Sequence, residues 1–161
     1  MACMIWGYGG DREARYGPSR TAQMMTSEGF NVVLKETSDL IRSGKISEAY
    51  DRFDSGKIMQ CGPAFFTKYF YFLGRGVGHD SYPLILDRRV AKALGQLLGN
   101  ENLTRFVSLN RRTDQILIDR GREQRDKYLH YLGLMWKWAK QLGCKSDDIE
   151  CFLYKGLEHN V

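Results

Sequence analysis

The sequence has few cysteines, and their spacing suggests neither a disulfide framework nor a metal-binding cluster. The 161 residues include four cysteines, at Cys3, Cys61, Cys144 and Cys151, and no two of them form a C-x-x-C pair. Disulfide scaffolds are cysteine-dense, and zinc ribbons and iron–sulfur loops need clustered ligands. His79 and His130 also lack partners at ligand spacing. We therefore predict a protein of a reducing compartment with no bound metal.

Long apolar runs are missing too. No stretch approaches the roughly 20 apolar residues that a helix needs to span a bilayer. The first ten residues, Met1–Gly10, lack the basic flank and apolar run of a signal peptide. We therefore expect a cytoplasmic protein, associated with the nucleoid if it is bacterial, that has no membrane partner.

The composition is that of a globular protein. Apolar residues make up 43% of the chain and charged residues 27%, which is enough apolar material for one core. No repeat, low-complexity tract or linker divides the sequence, so we predict a single domain over residues 1–161. The net charge of +5 is compatible with a nucleic-acid partner but does not identify one.

Apolar residues recur at helical spacing along most of the chain, which predicts a mainly α fold with about seven helices and at most two short strands. Two segments rich in glycine and proline, Gly7–Pro18 and Gly74–Pro83, are predicted loops. The predicted helices are one from Ser19 to Met25, one opened by Thr37–Asp39, one from Ile46 to Phe53, one from Pro63 to Leu73, one capped by Asp87 and carrying Val90 to Leu98, one or two turns over Leu103–Val107, one from Glu123 to Leu142 and one capped by Ser146.

The segment from Pro63 to Leu73 combines a proline start, a following Gly74 and six aromatic residues. Aromatic residues favour strands, but proline at the first helical position and a glycine stop favour a helix. We predict an aromatic helix that serves as core rather than as a platform for stacking bases.

A helix, a tight turn with glycine and a second helix follow one another between Ile46 and Leu73. The N-terminus of the second helix offers backbone N–H groups and a favourable dipole for an anion. Gly62 has no side chain to keep a phosphate away from the backbone. The pattern is therefore compatible with phosphate binding, although a helical hairpin is also a common way of packing two helices.

Two stretches of this region resemble a known family. They run from Cys61 to Leu73 (CGPAFFTKYFYFL) and from Pro83 to Leu94 (PLILDRRVAKAL). Both resemble the helix–hairpin–helix DNA glycosylases, and they are most similar to the bacterial branch described as 8-oxoguanine DNA glycosylases. The resemblance is close over Ile46–Leu98, and the Asp148–Glu150 region is also similar to that branch. It implies a compact helical domain with a helix–hairpin–helix motif that grips DNA.

The resemblance also implies roles for individual residues. Asp87 takes the place of the essential carboxylate, and Lys68 is the candidate nucleophile. Two departures bear on these roles: Gln60 stands where the first glycine of the hairpin is usual, and Ala64 stands where bifunctional members usually carry their lysine. Lys68 lies one helical turn after Ala64, on the same face. The residues implied to bind DNA are Cys61, Gly62, Pro63, Ala64 and Arg88.

The chemistry of base excision fits this pair. Cleavage of an N-glycosidic bond builds positive charge on the sugar, which a carboxylate stabilises, and the same carboxylate can activate water or an amine. A lysine among Phe65, Tyr71 and Phe72 loses its proton more easily through desolvation and can then form a Schiff base with the sugar. The resemblance implies double-stranded DNA with a damaged or modified base as partner, a monomer, and no metal or organic cofactor.

Simpler interpretations stay open. Asp87 is explained equally by an N-cap alone, and Lys68 by a solvated lysine at a helix edge. Trp6 and Tyr8 are candidates for a base pocket or for anchoring the N-terminal segment. Eight arginines are candidate phosphate contacts or solvated side chains: Arg75, Arg88, Arg89, Arg111, Arg112, Arg120, Arg122 and Arg125. The alternative functions are a non-catalytic helix–hairpin–helix DNA-binding module and a helical interaction domain without a nucleic-acid role.

Overall fold

The computed structural model describes residues 17–110, 112–113 and 115–155. Eight helices and one two-stranded ladder make up the regular structure of these ranges, which confirms the mainly α prediction. The predictions for Trp6, Tyr8 and Arg111 lie outside the described residues. The chain forms two compact units, of residues 1–83 and 84–161. Since a compact unit need not fold alone, the single domain over 1–161 stays a prediction.

Four helices form the described part of the first unit. They are α1 (Gly17–Met25), α2 (Phe30–Arg42), α3 (Ile46–Ser55) and α4 (Pro63–Val77). Helix α2 packs against both α3 and α4. The four residues that the spacing of α3 assigned to one face, Ile46, Ala49, Tyr50 and Phe53, are all buried. The helical period in this part of the sequence therefore predicted the core-facing side correctly.

Aromatic rings join α3 to α4. The Phe66 ring lies 4.9 Å from the rings of both Tyr50 and Phe53, and 5.2 Å from that of Phe70. All four side chains are fully buried. Rings at these separations add to the burial of apolar area. This cluster fixes the two helices that flank the turn 56–62.

Helix α4 is longer than predicted, because Gly74 does not end it. A Cβ atom at Gly74 would lie 2.6 Å from Pro83 Cδ and 2.9 Å from Tyr82 Cβ, so only glycine allows this close approach. The helix continues to Val77 and ends at Gly78, whose φ of 80° is left-handed. The predicted loop from Gly74 therefore begins four residues later. Gly74 was predicted to end the helix because glycine is common at helix C-termini, but its role here is close packing.

Helix α2 also begins before the predicted signal. Thr37–Asp39 lies inside the helix, and its first residue is Phe30. Thr37 is fully buried and shares the inner face with Phe30, Val33 and Ile41. A polar residue at a core position interrupts the apolar period and gives the appearance of a cap. Helix α1 likewise starts earlier than predicted, at Gly17.

The second unit contains four helices and the ladder in its described part. They are α5 (Arg88–Leu98), α6 (Asn100–Leu103), β1 (Ser108–Leu109), β2 (Ile116–Leu117), α7 (Arg122–Leu142) and α8 (Ser146–Lys155). The strands pair antiparallel, with Ser108 opposite Leu117. Helix α8 packs against α5 and α7. Helices α5, α7 and α8 follow the prediction closely, whereas α6 ends where the predicted turns of Leu103–Val107 begin.

Among the described helices, none combines the length and the apolar composition needed to cross a membrane.

Candidate functional site

The turn 56–62 between α3 and α4 is anchored by buried side chains and presents exposed ones. Ile58 and Cys61 are buried, whereas Met59 and Gln60 are exposed. The Met59 amide donates a hydrogen bond to Ser27 Oγ at 3.2 Å, which ties the turn to the segment after α1. The Cys61 side chain is fully buried, so a contact between Cys61 and DNA would use its backbone.

Gln60 adopts the backbone conformation that glycine prefers. Its φ is 56°, in the left-handed region, and Lys57 at the start of the turn has a φ of 47°. Residues with a Cβ atom rarely occupy this region because Cβ approaches the backbone carbonyl. Gln60 is the position at which the resembling family usually has its first glycine. The turn thus keeps the left-handed backbone without the residue that favours it.

Gly62 is the N-cap residue directly before α4 and leaves the helix N-terminus without a side-chain cap. No side chain caps the helix, and Pro63 occupies its first position. The φ and ψ of Gly62 are −79° and 178°, an extended conformation that any residue adopts. A Cβ atom built on Gly62 would meet no described atom within 4 Å. Neither backbone strain nor packing therefore requires glycine here, and the absence of a side chain exposes the amide groups at the start of α4.

Lys68 is buried, with 7% of its surface exposed, so the interpretation as a solvated lysine is wrong. Its Nζ atom lies 5.2 Å from the centre of the Phe65 ring, within the range of a cation–π contact. Phe72, expected beside it, is 43% exposed. Burial removes much of the water from around the Lys68 side chain. Lysines that act as nucleophiles are found in such desolvated settings.

The aromatic residues of α4 divide between core and surface. Phe66 and Phe70 are fully buried, as the core prediction requires. Tyr69 is half-buried and donates a hydrogen bond to the Leu34 carbonyl at 3.0 Å, which ties α4 to α2. Phe72 is the most exposed of these rings, and it lies 5.1 Å from the Tyr71 ring.

Asp87 caps α5, as predicted. Its Oδ1 atom accepts hydrogen bonds from the amides of Arg89, at 2.9 Å, and Val90, at 3.1 Å. Both bonds use the same oxygen, so the cap makes no use of Oδ2. The residue is half-buried, and its neighbour Arg88 is exposed. The cap therefore holds the carboxylate in one orientation at the helix N-terminus, where the dipole favours negative charge.

Three buried side chains hold the backbone segment that leads to Asp87. The Tyr128 hydroxyl donates to the Leu84 carbonyl at 2.7 Å, and the Tyr131 hydroxyl donates to the Ile85 carbonyl at 2.9 Å. The Ile85 amide donates to Glu150 Oε2 at 2.8 Å. Two residues before Asp87, the backbone is thus bonded through both its N–H and its C=O.

Burial raises the pKa of Glu150 to about 8, although the hydrogen bond from the Ile85 amide lowers it. The nearby Asp87 carboxylate raises the same pKa, and a hydrogen bond with Tyr131 lowers it. Burial also raises the pKa of Tyr131 well above its ordinary value, and the Glu150 charge adds to this effect. At neutral pH, Glu150 is therefore mostly a neutral acid.

Sequence reasoning missed Glu150, Tyr131 and Tyr128 as parts of this cluster. Glu150 precedes the buried Leu153 by three residues and so shares its helix face. That spacing was the available signal. The signal was insufficient because a glutamate that shares an apolar helix face usually lies at the solvent-exposed edge of that face. The partner of Glu150, the Ile85 amide, is also 65 positions away in the sequence.

Six of the seven candidate arginines within the described ranges are exposed, and Arg75, Arg89 and Arg125 form side-chain hydrogen bonds. The Arg89 guanidinium lies 5.0 Å from the centre of the Tyr154 ring and donates to the Tyr154 hydroxyl at 3.0 Å. Arg75 lies 5.8 Å from the Tyr82 ring. Within the described ranges, no group of three histidine, cysteine, aspartate or glutamate side chains is arranged to hold a metal ion.

The structure brings the predicted residues together in two groups. One group belongs to the first unit: Cys61 and Gly62 directly precede α4, and Pro63, Ala64 and Lys68 lie within it. Asp87 and Arg88 lie at the start of α5, in the second unit, beside the buried Glu150. One group thus presents an open helix N-terminus with a buried amine, and the other an oriented carboxylate.

The sequence of the chain matches one family model. The family model described as "Putative 8-oxoguanine DNA glycosylase OGG-like protein" matches residues 1–154. The chain belongs to this family, which confirms the resemblance of the two stretches and relates the protein to DNA glycosylases. Comparison with curated proteins and with solved structures finds no match.

Proposed function

We propose that the protein is a DNA glycosylase that removes a damaged base, such as 8-oxoguanine, from duplex DNA. The observation that carries the proposal is the oriented Asp87 carboxylate, in a chain that belongs to a glycosylase-like family. Double-stranded DNA with one damaged base is the partner, and the chain acts as a monomer of one domain. The target base leaves the stack before its bond to the sugar is cut.

Asp87 is the proposed catalytic carboxylate. Two amides fix Oδ1, so Oδ2 has a defined direction before substrate arrives. A carboxylate preorganised in this way stabilises the positive charge that develops on the sugar as the base departs. It also accepts a proton from the attacking water or amine.

Lys68 is the proposed nucleophile of a glycosylase that also cuts the strand. The neutral amine attacks C1′ of the sugar, the bond from C1′ to the base breaks, and the departing base takes a proton from the amine. The C1′–O4′ bond then breaks, O4′ takes a proton from Asp87 or water, and the C1′=N bond of a Schiff base forms. β-Elimination of the 3′ phosphate then follows. The burial of Lys68 supports this role, because a dry setting is where a lysine becomes an amine nucleophile.

The start of α4 is the proposed helix–hairpin–helix contact with the DNA backbone. Gly62 and Ala64 offer amide groups, and Cys61 and Pro63 shape the turn. Arg88, at the start of α5, is proposed separately as a positive charge that contacts the DNA backbone. A phosphate at an uncapped helix N-terminus is stabilised by these amides and by the helix dipole. The open space beside Gly62 supports this contact.

Base release from a duplex with one 8-oxoguanine opposite cytosine tests the proposal, with alkali used to cut abasic sites. Asp87→Asn keeps an oxygen that caps α5 but removes the charge, so we expect normal folding and a loss of base release. Asp87→Ala removes both the capping oxygen and the charge, so we expect no base release and a free energy of unfolding lower by about 1 kcal/mol. Retention of base release by the Asn variant would overturn the role of Asp87.

Trapping with sodium borohydride tests Lys68. We expect a covalent protein–DNA band from the unmodified protein and none from Lys68→Ala. Lys92→Ala is the matched control, because Lys92 is an exposed lysine of α5. A band that persists without Lys68 would contradict the assignment. Base release without any band would indicate a glycosylase that uses water.

A non-catalytic DNA-binding module is the second candidate. The observation that favours it is the cap itself, because stabilisation of α5 accounts for Asp87 without any chemistry. This candidate predicts DNA binding that ignores damage, and no base release at any pH. The alkali assay therefore separates the two functions.

A further inference from the structure

We propose that Glu150 is a positioning residue for Asp87, because its buried carboxyl group holds the Ile85 backbone and so sets the direction of the segment that presents Asp87. The inference deepens the proposed function and rests on it for the part that concerns base release. Glu150 belongs to α8, whereas Asp87 begins α5. No side-chain chemistry of Glu150 at the DNA is implied.

The geometry provides a short path between the two residues. The Ile85 amide donates to Glu150 Oε2 at 2.8 Å, and Leu86 separates Ile85 from Asp87. The Ile85 carbonyl accepts from the Tyr131 hydroxyl at 2.9 Å. A backbone segment pinned on both sides cannot rotate without breaking a buried hydrogen bond, which is unfavourable in a dry setting. A misplaced reacting group lowers a rate steeply, so the pinning matters for Asp87.

Burial and the Asp87 charge favour the neutral form of Glu150, whereas its hydrogen bonds with the Ile85 amide and Tyr131 favour the ionised form. Burial has the largest effect, so Glu150 keeps its proton up to about pH 8. The Tyr131 hydroxyl has one proton, which it donates to the Ile85 carbonyl at 2.9 Å. An ionised Glu150 competes for this proton and so weakens the bond to the Ile85 carbonyl.

Glu150 is packed against α5 and α7, and the titratable groups that act on it come from these elements. They are Asp87 at the start of α5 and Tyr131 of α7. Tyr128 of α7 acts on Tyr131. An ionised Glu150 therefore faces the Asp87 carboxylate, and no cation of the described ranges is among the groups that shift its pKa. Ionisation repels Asp87 and loosens its segment at the same time.

Single-turnover base release from about pH 6 to about pH 9.5 tests the role through three proteins. We expect the unmodified protein to lose activity above about pH 8. Glu150→Gln keeps an acceptor for the Ile85 amide and a donor for Tyr131, and it does not ionise. We expect this variant to stay within about threefold of the unmodified rate at neutral pH, with no fall near pH 8. Glu150→Leu loses about 10-fold to 100-fold.

The amide NMR signals of Ile85, Arg89 and Val90 provide a readout that does not depend on catalysis. Ile85 reports its bond to Glu150, and the other two report the Asp87 cap. We expect all three to shift with a midpoint near pH 8 in the unmodified protein and not in Glu150→Gln. Glu123→Gln, which changes an exposed carboxylate of α7, should leave these shifts in place.

The outcomes separate this inference from the proposed function. If the unmodified protein releases no base but the three amides follow Glu150, the glycosylase proposal fails and the link between Glu150 and Asp87 stands. If the shifts of the Arg89 and Val90 amides do not depend on Glu150, the proposal that Glu150 positions Asp87 is wrong, whatever activity is measured. Positioning is also wrong if Glu150→Gln loses as much activity as Glu150→Leu, or keeps the alkaline fall.

Discussion

Asp87 and Glu150 show how two carboxyl groups of one unit come to lie in different surroundings. Asp87 is half-buried at a helix N-terminus, where two amides donate to one of its oxygens. Glu150 is buried, and burial raises its pKa to about 8. A buried carboxyl group with a raised pKa is a feature found at many active sites.

The raised pKa of Glu150 predicts a stability that falls as the pH rises. The folded protein binds the proton of Glu150 more tightly than the unfolded chain, whose glutamate titrates at its ordinary value of 4.5. The stabilisation is fully present below that value and is lost as the pH passes about 8. We expect the free energy of unfolding, measured with urea, to fall by a few kcal/mol from about pH 5 to about pH 9.

Glu150→Gln should remove most of this slope, because the amide has no proton to lose. Glu123→Gln should keep it, since the pKa of Glu123 is lowered by its hydrogen bond with Lys127 and its titration falls below this pH range. Equal slopes for the unmodified protein and Glu150→Gln would mean that Glu150 ionises at the same pH in the folded and unfolded chain.

The left-handed backbone at Gln60 predicts a stabilising substitution. Gln60→Gly removes the contact between Cβ and the backbone, and we expect unfolding to cost about 0.5–1 kcal/mol more, after the greater freedom of glycine in the unfolded chain is counted. Gln96→Gly is the matched control, because Gln96 is an exposed residue of α5. It should destabilise the protein by about 1 kcal/mol. A urea midpoint that rises for Gln60→Gly and falls for Gln96→Gly would confirm the prediction. A loss of stability in both variants would contradict it.

At the scale of helices and turns, the sequence predicted what depends on local periodicity. The inner face of α3, the cap at Asp87 and the length of α7 follow from residue spacing and capping chemistry. The continuation of α4 through Gly74 depends on Pro83 and Tyr82, which a local pattern does not contain.

The same division applies to the candidate site. Asp87, Lys68 and the start of α4 were predicted from the sequence and its resemblance to a family. The burial of Lys68 could not be predicted from residue spacing. Glu150 and Tyr131 act on a backbone segment far along the chain, so their role emerges only from tertiary structure. Long-range polar contacts of this kind leave no period in a sequence.

The open N-terminus of α4 predicts opposite effects on stability and binding. Gly62→Asp and Gly62→Asn both add a cap, and each should stabilise α4 by a few tenths of a kcal/mol. The added carboxylate repels a phosphate at this position, so Gly62→Asp should weaken DNA binding about tenfold more than Gly62→Asn. Fluorescence anisotropy with labelled duplex measures the difference. Equal affinity of the two variants would place the phosphate elsewhere.

At the scale of the whole molecule, the net charge of +5 is modest, so binding to DNA must depend on a few local contacts rather than on a general attraction. The logarithm of the binding constant falls linearly with that of the salt concentration, by about 0.9 for each phosphate neutralised. We expect Arg88→Ala to lower this slope by about 1 and to weaken binding to damaged and undamaged duplexes alike.

Arg105→Ala is the matched control, because Arg105 is another exposed arginine of the second unit and is not among the residues implied to bind DNA. The titrations use Asp87→Asn as background, so that no base is released during the measurement. Tighter binding to the damaged duplex would support a glycosylase, because a damaged base leaves the stack at lower cost. Equal binding to both duplexes would favour the non-catalytic module, and no binding even at low salt would favour the helical interaction domain. A salt slope that is the same for Arg88→Ala and Arg105→Ala would exclude Arg88 from the phosphate contacts, because a neutralised phosphate must release its counterions.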